Sequence, residues 1–186
     1  MLEPVDRRRL VDAAREGIAL GYGRPRPEPL PTGPWSAALS APRATFITLT
    51  LGGELRGCRG TIEPCRPLIE DVWDNAWASA YDDPRFPPVT PDEIPRLGIS
   101  ISVLTALEPM PAASEAELIE ALEPGVDGLV LSHGAARATF LPSVWRQLPE
   151  PRDFVAQLKT KAGWPASFWS HDMKAHRYRT ESFPAH

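Results

Sequence analysis

Cysteine is scarce in this 186-residue chain. Cys58 and Cys65 are too few for a disulfide framework, and their close spacing permits a bridge only if the chain turns back on itself. Four scattered histidines add no structural-zinc spacing, so no metal site is expected. Lysine is nearly missing as well. Of the 20 basic residues only Lys159, Lys161 and Lys174 are lysine; the arginines read first as ordinary surface charge and only second as guanidinium-based recognition. A net charge of −4 and a pI near 5.6 give no overall pull on a phosphate backbone. Nucleic acid is therefore not indicated, and would require Arg7, Arg8, Arg9, Arg56, Arg59 and Arg66 to share one face. No apolar run approaches the roughly 20 residues that cross a bilayer. The start, Met1 to Arg9, leads into charged helix rather than a signal-peptide core, so a cytoplasmic location without membrane attachment is expected.

What is present describes a globular chain. Hydrophobic residues make up 42% and charged residues 24%, well away from the composition of disorder. The length is near the usual domain size, which predicts one domain over 1–186 with a possible smaller lobe inside it.

Apolar residues from Pro4 to Leu20 recur at helical spacing and predict an amphipathic first helix. The prolines of Gly21 to Pro34 then exclude both helix and central strand and predict an extended connector. Ala44 to Leu51 is rich in β-branched residues, and Gly52-Gly53 supplies a turn into Glu54 to Ile62, predicting a β-hairpin. Pro67 to Tyr81 carries a wide apolar stripe that includes Trp73 and Trp77, expected in the core. Asp82 to Pro95 is dense in proline and acid and reads as irregular, with a turn or helical cap at Thr90 to Glu93. Leu97 to Leu107 alternates as a half-buried strand, and Ser114 to Leu122 is a short helix capped by Ser114 with Glu117 three residues on. Val126 to Ser132 and Arg137 to Leu141 form a second hairpin. Arg152 to Ala162 is a last helix ending near Gly163, and His176 to Phe183 a closing strand. Helices interspersed with hairpins predict an α+β fold, a mostly antiparallel sheet with helices packed on it, and exclude a doubly wound nucleotide-binding fold.

The most unusual stretch is Leu55-Arg56-Gly57-Cys58-Arg59-Gly60-Thr61. Flanking glycines admit close approach of a backbone or ligand, and neighbouring guanidinium groups favour a thiolate. Cys58 is thus a candidate nucleophile or redox thiol, weighed against a small buried hydrophobe. Arg56 is a candidate thiolate or anion stabiliser, weighed against a salt-bridge scaffold. If the strand is regular, Arg56, Cys58 and Gly60 share one face, Gly57 and Arg59 the other. Gly57, Arg59, Gly60 and Thr61, with Asp83 and Arg85 of the later loop, are candidate binding residues; Asp82, Asp83 and Arg85 read first as pins of a proline-rich loop and only second as a general base or substrate anchor. A cysteine nucleophile needs a base, and His133 and His176 are the candidates. Cys65, after Pro64 at a predicted helix start, is a candidate resolving thiol.

The heptad resembles the signature of the AMMECR1 family, LRGCIGT, with Arg59 in place of isoleucine. Ala80 to Val89 (AYDDPRFPPV), Ile99 to Glu108, Gly125 to Leu131, Ala138 to Leu148 and Phe154 to Trp169 resemble the same family, so the likeness runs nearly the whole chain. It implies a two-lobed α+β domain with a cleft, around which the RGC motif and the DPRF segment meet. It also implies association in trans with a Memo-like protein and a radical-SAM protein in one modification pathway.

Two functions of different class follow. One is an enzyme using Cys58, assisted by Arg56 and an acid or histidine, on an anionic or nucleotide-like substrate. The other is a non-catalytic binding or accessory module for a partner protein or RNA. The residues name no cofactor and no oligomeric state.

Overall fold

The computed structural model describes residues 1–25 and 33–185, with the main chain alone at residue 185. Half of the expected extended connector, residues 26–32, lies outside the described residues. The chain divides into two compact units: Met1–Leu104 with the last six residues from Glu181, and Thr105–Thr180.

The first unit opens with helix α1 (Pro4–Gly21), where Pro4 at the first position fits because its missing N–H has no helical partner anyway. Its inward residues Leu10, Ala13, Ala14, Gly17, Ile18 and Gly21 recur at three- and four-residue spacing and are buried. A one-turn helix, α2 (Ala37–Ser40), follows; Ser36 caps it by accepting from the N–H of Leu39 and donates to the buried Asp6 of α1 at 2.9 Å.

Strands β1 (Thr45–Leu51) and β2 (Glu54–Gly60) form the expected antiparallel hairpin around Gly52 and Gly53, both at positive φ. Helix α3 (Leu68–Tyr81) and strand β3 (Leu97–Leu104) complete the motif-bearing part. The sheet order is β2-β1-β3-β8, where β8 is Thr180–Ala185, and β2 is therefore an end strand. Alternation gives the sheet two different faces. Ile47, Leu49, Ile99, Ile101 and Val103 are buried in one core with residues of α1 and α3, whereas Thr48, Thr50, Ser100 and Ser102 are half-buried on the other side. Helices α1 and α3 pack closely because Gly17 and Gly21 leave space that Trp73, Trp77 and Tyr81 fill, and the Tyr81 hydroxyl donates to the Ile18 carbonyl at 2.7 Å. Trp73 is buried as expected and Trp77 half-buried.

The second unit is a sheet of order β4-β7-β5-β6, from β4 (Glu108–Pro109), β5 (Gly128–His133), β6 (Ala136–Phe140) and β7 (Lys174–Tyr178), with helices α4 (Glu115–Ala121) and α5 (Pro151–Lys161). The pairings among these strands are antiparallel. The core gathers Leu118, Leu129, Leu131, Trp145, Phe154, Val155 and Leu158, with the Trp145 ring stacked on Phe154 at 3.8 Å. Lys159 is fully buried, its ammonium held by Glu115 at 2.7 Å and by the Phe168 carbonyl at 3.1 Å.

The α+β, antiparallel class is as expected, and three details differ. Strands fall into two sheets rather than one. The expected closing strand, His176 to Phe183, is two strands in different sheets, because the main chain at Arg179 leaves the run to exchange hydrogen bonds with Thr105. At the cap of α4, Ser114 does accept from the Glu117 N–H, but the Glu117 carboxylate accepts from Ala113 rather than from Ser114.

Candidate functional site

The heptad lies on β2 and on the residue that follows it. Its regular alternation breaks at Arg56: Leu49 pairs with Gly57 and Thr50 with Leu55, so Arg56 is the extra residue of a β-bulge. Arg56, expected to assist the thiol, is instead engaged by the later loop. Its guanidinium makes a two-pronged contact with Glu93, both bonds 2.9 Å, and donates to the carbonyls of Pro87 at 2.9 Å and Pro88 at 3.3 Å. Arg56 holds the Glu93 carboxyl down to about 2, helped by the N–H of Thr90, and Glu93 in turn raises the guanidinium. The Thr90-x-x-Glu93 spacing is a capping pattern that sequence reading noticed without connecting it to the motif.

Gly57 has no room for a side chain: a Cβ there would run into the main-chain carbonyl of Ser79 on α3. Gly60 is confined in the same way by the Phe46 ring and the Thr45 carbonyl. Between them, Cys58 is half-buried, its sulfur 3.5 Å from the hydroxyl of Thr48, its partner in register. Both of its main-chain groups are held by the later loop. Asp83 accepts the Cys58 N–H at 2.8 Å, and Arg85 donates to the Cys58 carbonyl at 3.3 Å. The RGC and DPRF segments therefore meet, as the resemblance implied.

Asp83 is buried and bonded to Arg85 through Nη2 at 2.6 Å, Nε at 2.9 Å and the Arg85 N–H at 3.1 Å. Arg85, followed by the Cys58 N–H, holds this carboxyl well below the usual carboxylate range despite its burial. Asp83 raises the Arg85 guanidinium in return. Asp82 sits on the exposed end of α3 and pairs with Arg59 at 3.2 Å.

Three further residues hold the motif and were not singled out from sequence. The buried Ser79 hydroxyl accepts the Arg59 N–H at 2.9 Å and lies 2.9 Å from the Ile47 carbonyl, standing between two groups that face each other in the β1/β2 register. Asp71, fully buried, accepts from Thr61 at 2.9 Å, Thr45 at 2.7 Å and Asn75 at 2.9 Å. Burial pushes the Asp71 carboxyl up against the opposing pull of these hydroxyls and of Arg66. All three sit on helix α3, and their only sequence signal is polarity on a stripe otherwise apolar.

His133 and His176 belong to the second unit, where His133 packs edge-on against Phe168 at 5.2 Å and His176 pairs with Val130 across β7 and β5. Cys65 is an exposed free thiol that precedes the Pro67 cap, outside helix α3, and Cys58 is free too. Among the described residues no group of three or more His, Cys, Asp or Glu is arranged to hold a metal ion. Arg7 pairs with Glu181, and Arg66 with Asp71 and Asp74, so much of the arginine that a nucleic-acid face would need is paired internally.

The chain is similar to several known proteins. The chain is 37% identical to a protein of Methanothermobacter thermautotrophicus over 143 residues, 76% of this chain and 74% of that one. It is 40% identical to a protein of Thermofilum pendens over 136 residues, 70% of this chain and 62% of that one. A crystal structure of an uncharacterized protein from Pyrococcus horikoshii superposes with a TM-score of 0.85 at 33% identity, covering 94% of this chain and 89% of that one. No helix among the described residues is long and apolar enough to cross a membrane. The AMMECR1 family model matches residues 11–183, and the chain belongs to that family.

Proposed function

We propose that this chain is a binding module, that residues 55–61 and 82–93 build its docking surface, and that its partner is a protein. The supporting observation is that all the charges of these segments but Asp92 are paired within the protein: Arg56 with Glu93, Arg59 with Asp82, Arg85 with Asp83. A cysteine nucleophile needs a base to take its proton. The carboxylate bonded to Cys58 is Asp83, which accepts the main-chain N–H rather than facing the thiol alone, and its depressed pKa makes it a weak proton acceptor. The Memo-like and radical-SAM proteins that the resemblance implies are the first partners to try, in trans.

A second reading is an enzyme in which Cys58 attacks an anionic or nucleotide-like substrate. It draws support from Arg85, whose half-exposed guanidinium reaches the carbonyl of Cys58 beside a thiol that is itself only half-buried.

Alkylation followed by mass spectrometry, with Cys58 and Cys65 tracked separately across pH, decides between them. Under the binding reading Cys58 labels in step with or more slowly than the exposed Cys65, and Cys58→Ser still captures a partner from lysate. Labelling of Cys58 at clearly lower pH than Cys65, together with loss of a pathway activity in Cys58→Ser, installs the enzyme.

A further inference from the structure

An end strand presents main-chain N–H and C=O groups outward, and proteins cover them or use them. On β2 those of Cys58 are covered by side chains: a carboxylate oxygen of Asp83 at 2.8 Å from the N–H and a guanidinium nitrogen of Arg85 at 3.3 Å from the C=O. An acceptor and a donor side by side are what one residue of an adjoining strand would offer.

The cover is a self-contained piece. Asp83 and Arg85 hold each other through two side-chain bonds and one main-chain bond, while two bonds reach the main chain of β2. Moved together, the pair leaves no unpaired charge behind, and an incoming strand replaces the two lost bonds one for one. Its neighbours stay fixed. Arg56 grips the carbonyls of Pro87 and Pro88 and the carboxylate of Glu93, and the N–H of the buried Val89 donates to Ala80 at 2.9 Å. The loop cannot supply the missing strand itself, since Pro84, Pro87 and Pro88 have no N–H to donate.

We propose that the outer edge of β2 at Cys58 docks one extended peptide strand of a partner protein by strand addition, and that the Asp83–Arg85 turn is the occupant it displaces. The proposal rests on the binding-module reading and names the chemistry of its partner: a main-chain strand, read by hydrogen bonds at Cys58.

The test titrates an acetylated, amidated eight-residue peptide of alternating threonine and valine into the 15N-labelled full chain and its Arg85→Ala variant. Removing Arg85 frees the Cys58 carbonyl and loosens Asp83. The variant is expected to bind roughly tenfold more tightly than the parent, with the Cys58 amide shifted and its hydrogen exchange slowed. The same peptide N-methylated at its central residues is expected not to bind. Equal affinity for both proteins, equal binding of the methylated peptide, shifts confined to residues outside 55–61, or a doubling of mass in Arg85→Ala without peptide each overturns the proposal, the last in favour of a second copy on the edge. Should Arg85→Ala fail to fold, Asp83→Ala, which frees the Cys58 N–H and drops the ion pair, carries the same expectations. Failure here with protein capture intact removes the strand-addition proposal alone; failure of both removes the binding reading too.

Discussion

The carboxylate of Asp83 accepts the main-chain N–H of Cys58 at 2.8 Å, fastening an end strand to a loop 25 residues later in the chain. A second carboxylate, Glu93, fastens the same loop through Arg56. Both have pKa values below the ordinary range in the folded protein, so both stabilise it fully above their unfolded pKa and lose that contribution as pH falls through the folded one. For Glu93 the window runs from 4.5 down to about 2. Asp71, raised by burial, has the opposite sign and favours the folded state more as pH falls through its own window. Urea unfolding across that range is expected to show stability falling toward acid, with a smaller fall in Glu93→Gln and in Asp83→Asn. A parent and Glu93→Gln with the same slope would mean that the Arg56 pair contributes nothing to folding.

Gly57 is the heptad position least able to change. Its Cβ would displace main chain of α3, which cannot swing aside as a side chain can, so Gly57→Ala is expected at or beyond the upper end of the about 1–3 kcal/mol cost of overpacking. Gly52→Ala, at positive φ in open space on the hairpin turn, is the control, expected to cost about 1 kcal/mol. Denaturant midpoints compare the two, and a Gly57→Ala no worse than Gly52→Ala would show that α3 yields at Ser79.

How far these features were legible depends on their range. The hairpin at Gly52-Gly53 and the helix bearing Trp73 rest on local patterns, period two and period 3.6, and both were readable within a few residues. The meeting of the heptad with Asp83 and Arg85 came only through the family resemblance, since nothing local to either segment points to the other. The bulge at Arg56 was not legible at all. A bulge is a mismatch between two strands, so β2 read alone looks regular and assigns Arg56 to the thiol instead of Glu93. The split of the last expected strand at Arg179 has the same origin: alternation runs through it, and the division is set by pairing with Thr105.

Ser79 makes a sharper test of how α3 shapes β2. Its hydroxyl takes the Arg59 N–H and lies beside the Ile47 carbonyl that would otherwise receive it. In Ser79→Ala this part-buried N–H loses its partner unless the two strands close, and the expected cost is about 1–3 kcal/mol. Hydrogen exchange of the Arg59 amide should quicken by at least roughly tenfold. Unchanged exchange with unchanged stability would mean that the ladder closes and that the hydroxyl is a passenger.

Arg59 stands where the family signature has isoleucine, and its surroundings predict that the exchange is nearly free. Its side chain and that of its partner Asp82 are 44% and 58% exposed, conditions under which an ion pair contributes about 0–1 kcal/mol. The main-chain N–H of Arg59 does the structural bonding, to Ser79, and any residue but proline supplies it. Arg59→Ile is therefore expected to stay within about 0.5 kcal/mol of the parent in thermal or urea unfolding and to leave the Cys58 amide resonance in place. A loss above about 1 kcal/mol would tie the Arg59–Asp82 pair to the fastening of Asp83 next to it, and make the departure at position 59 a compensated one.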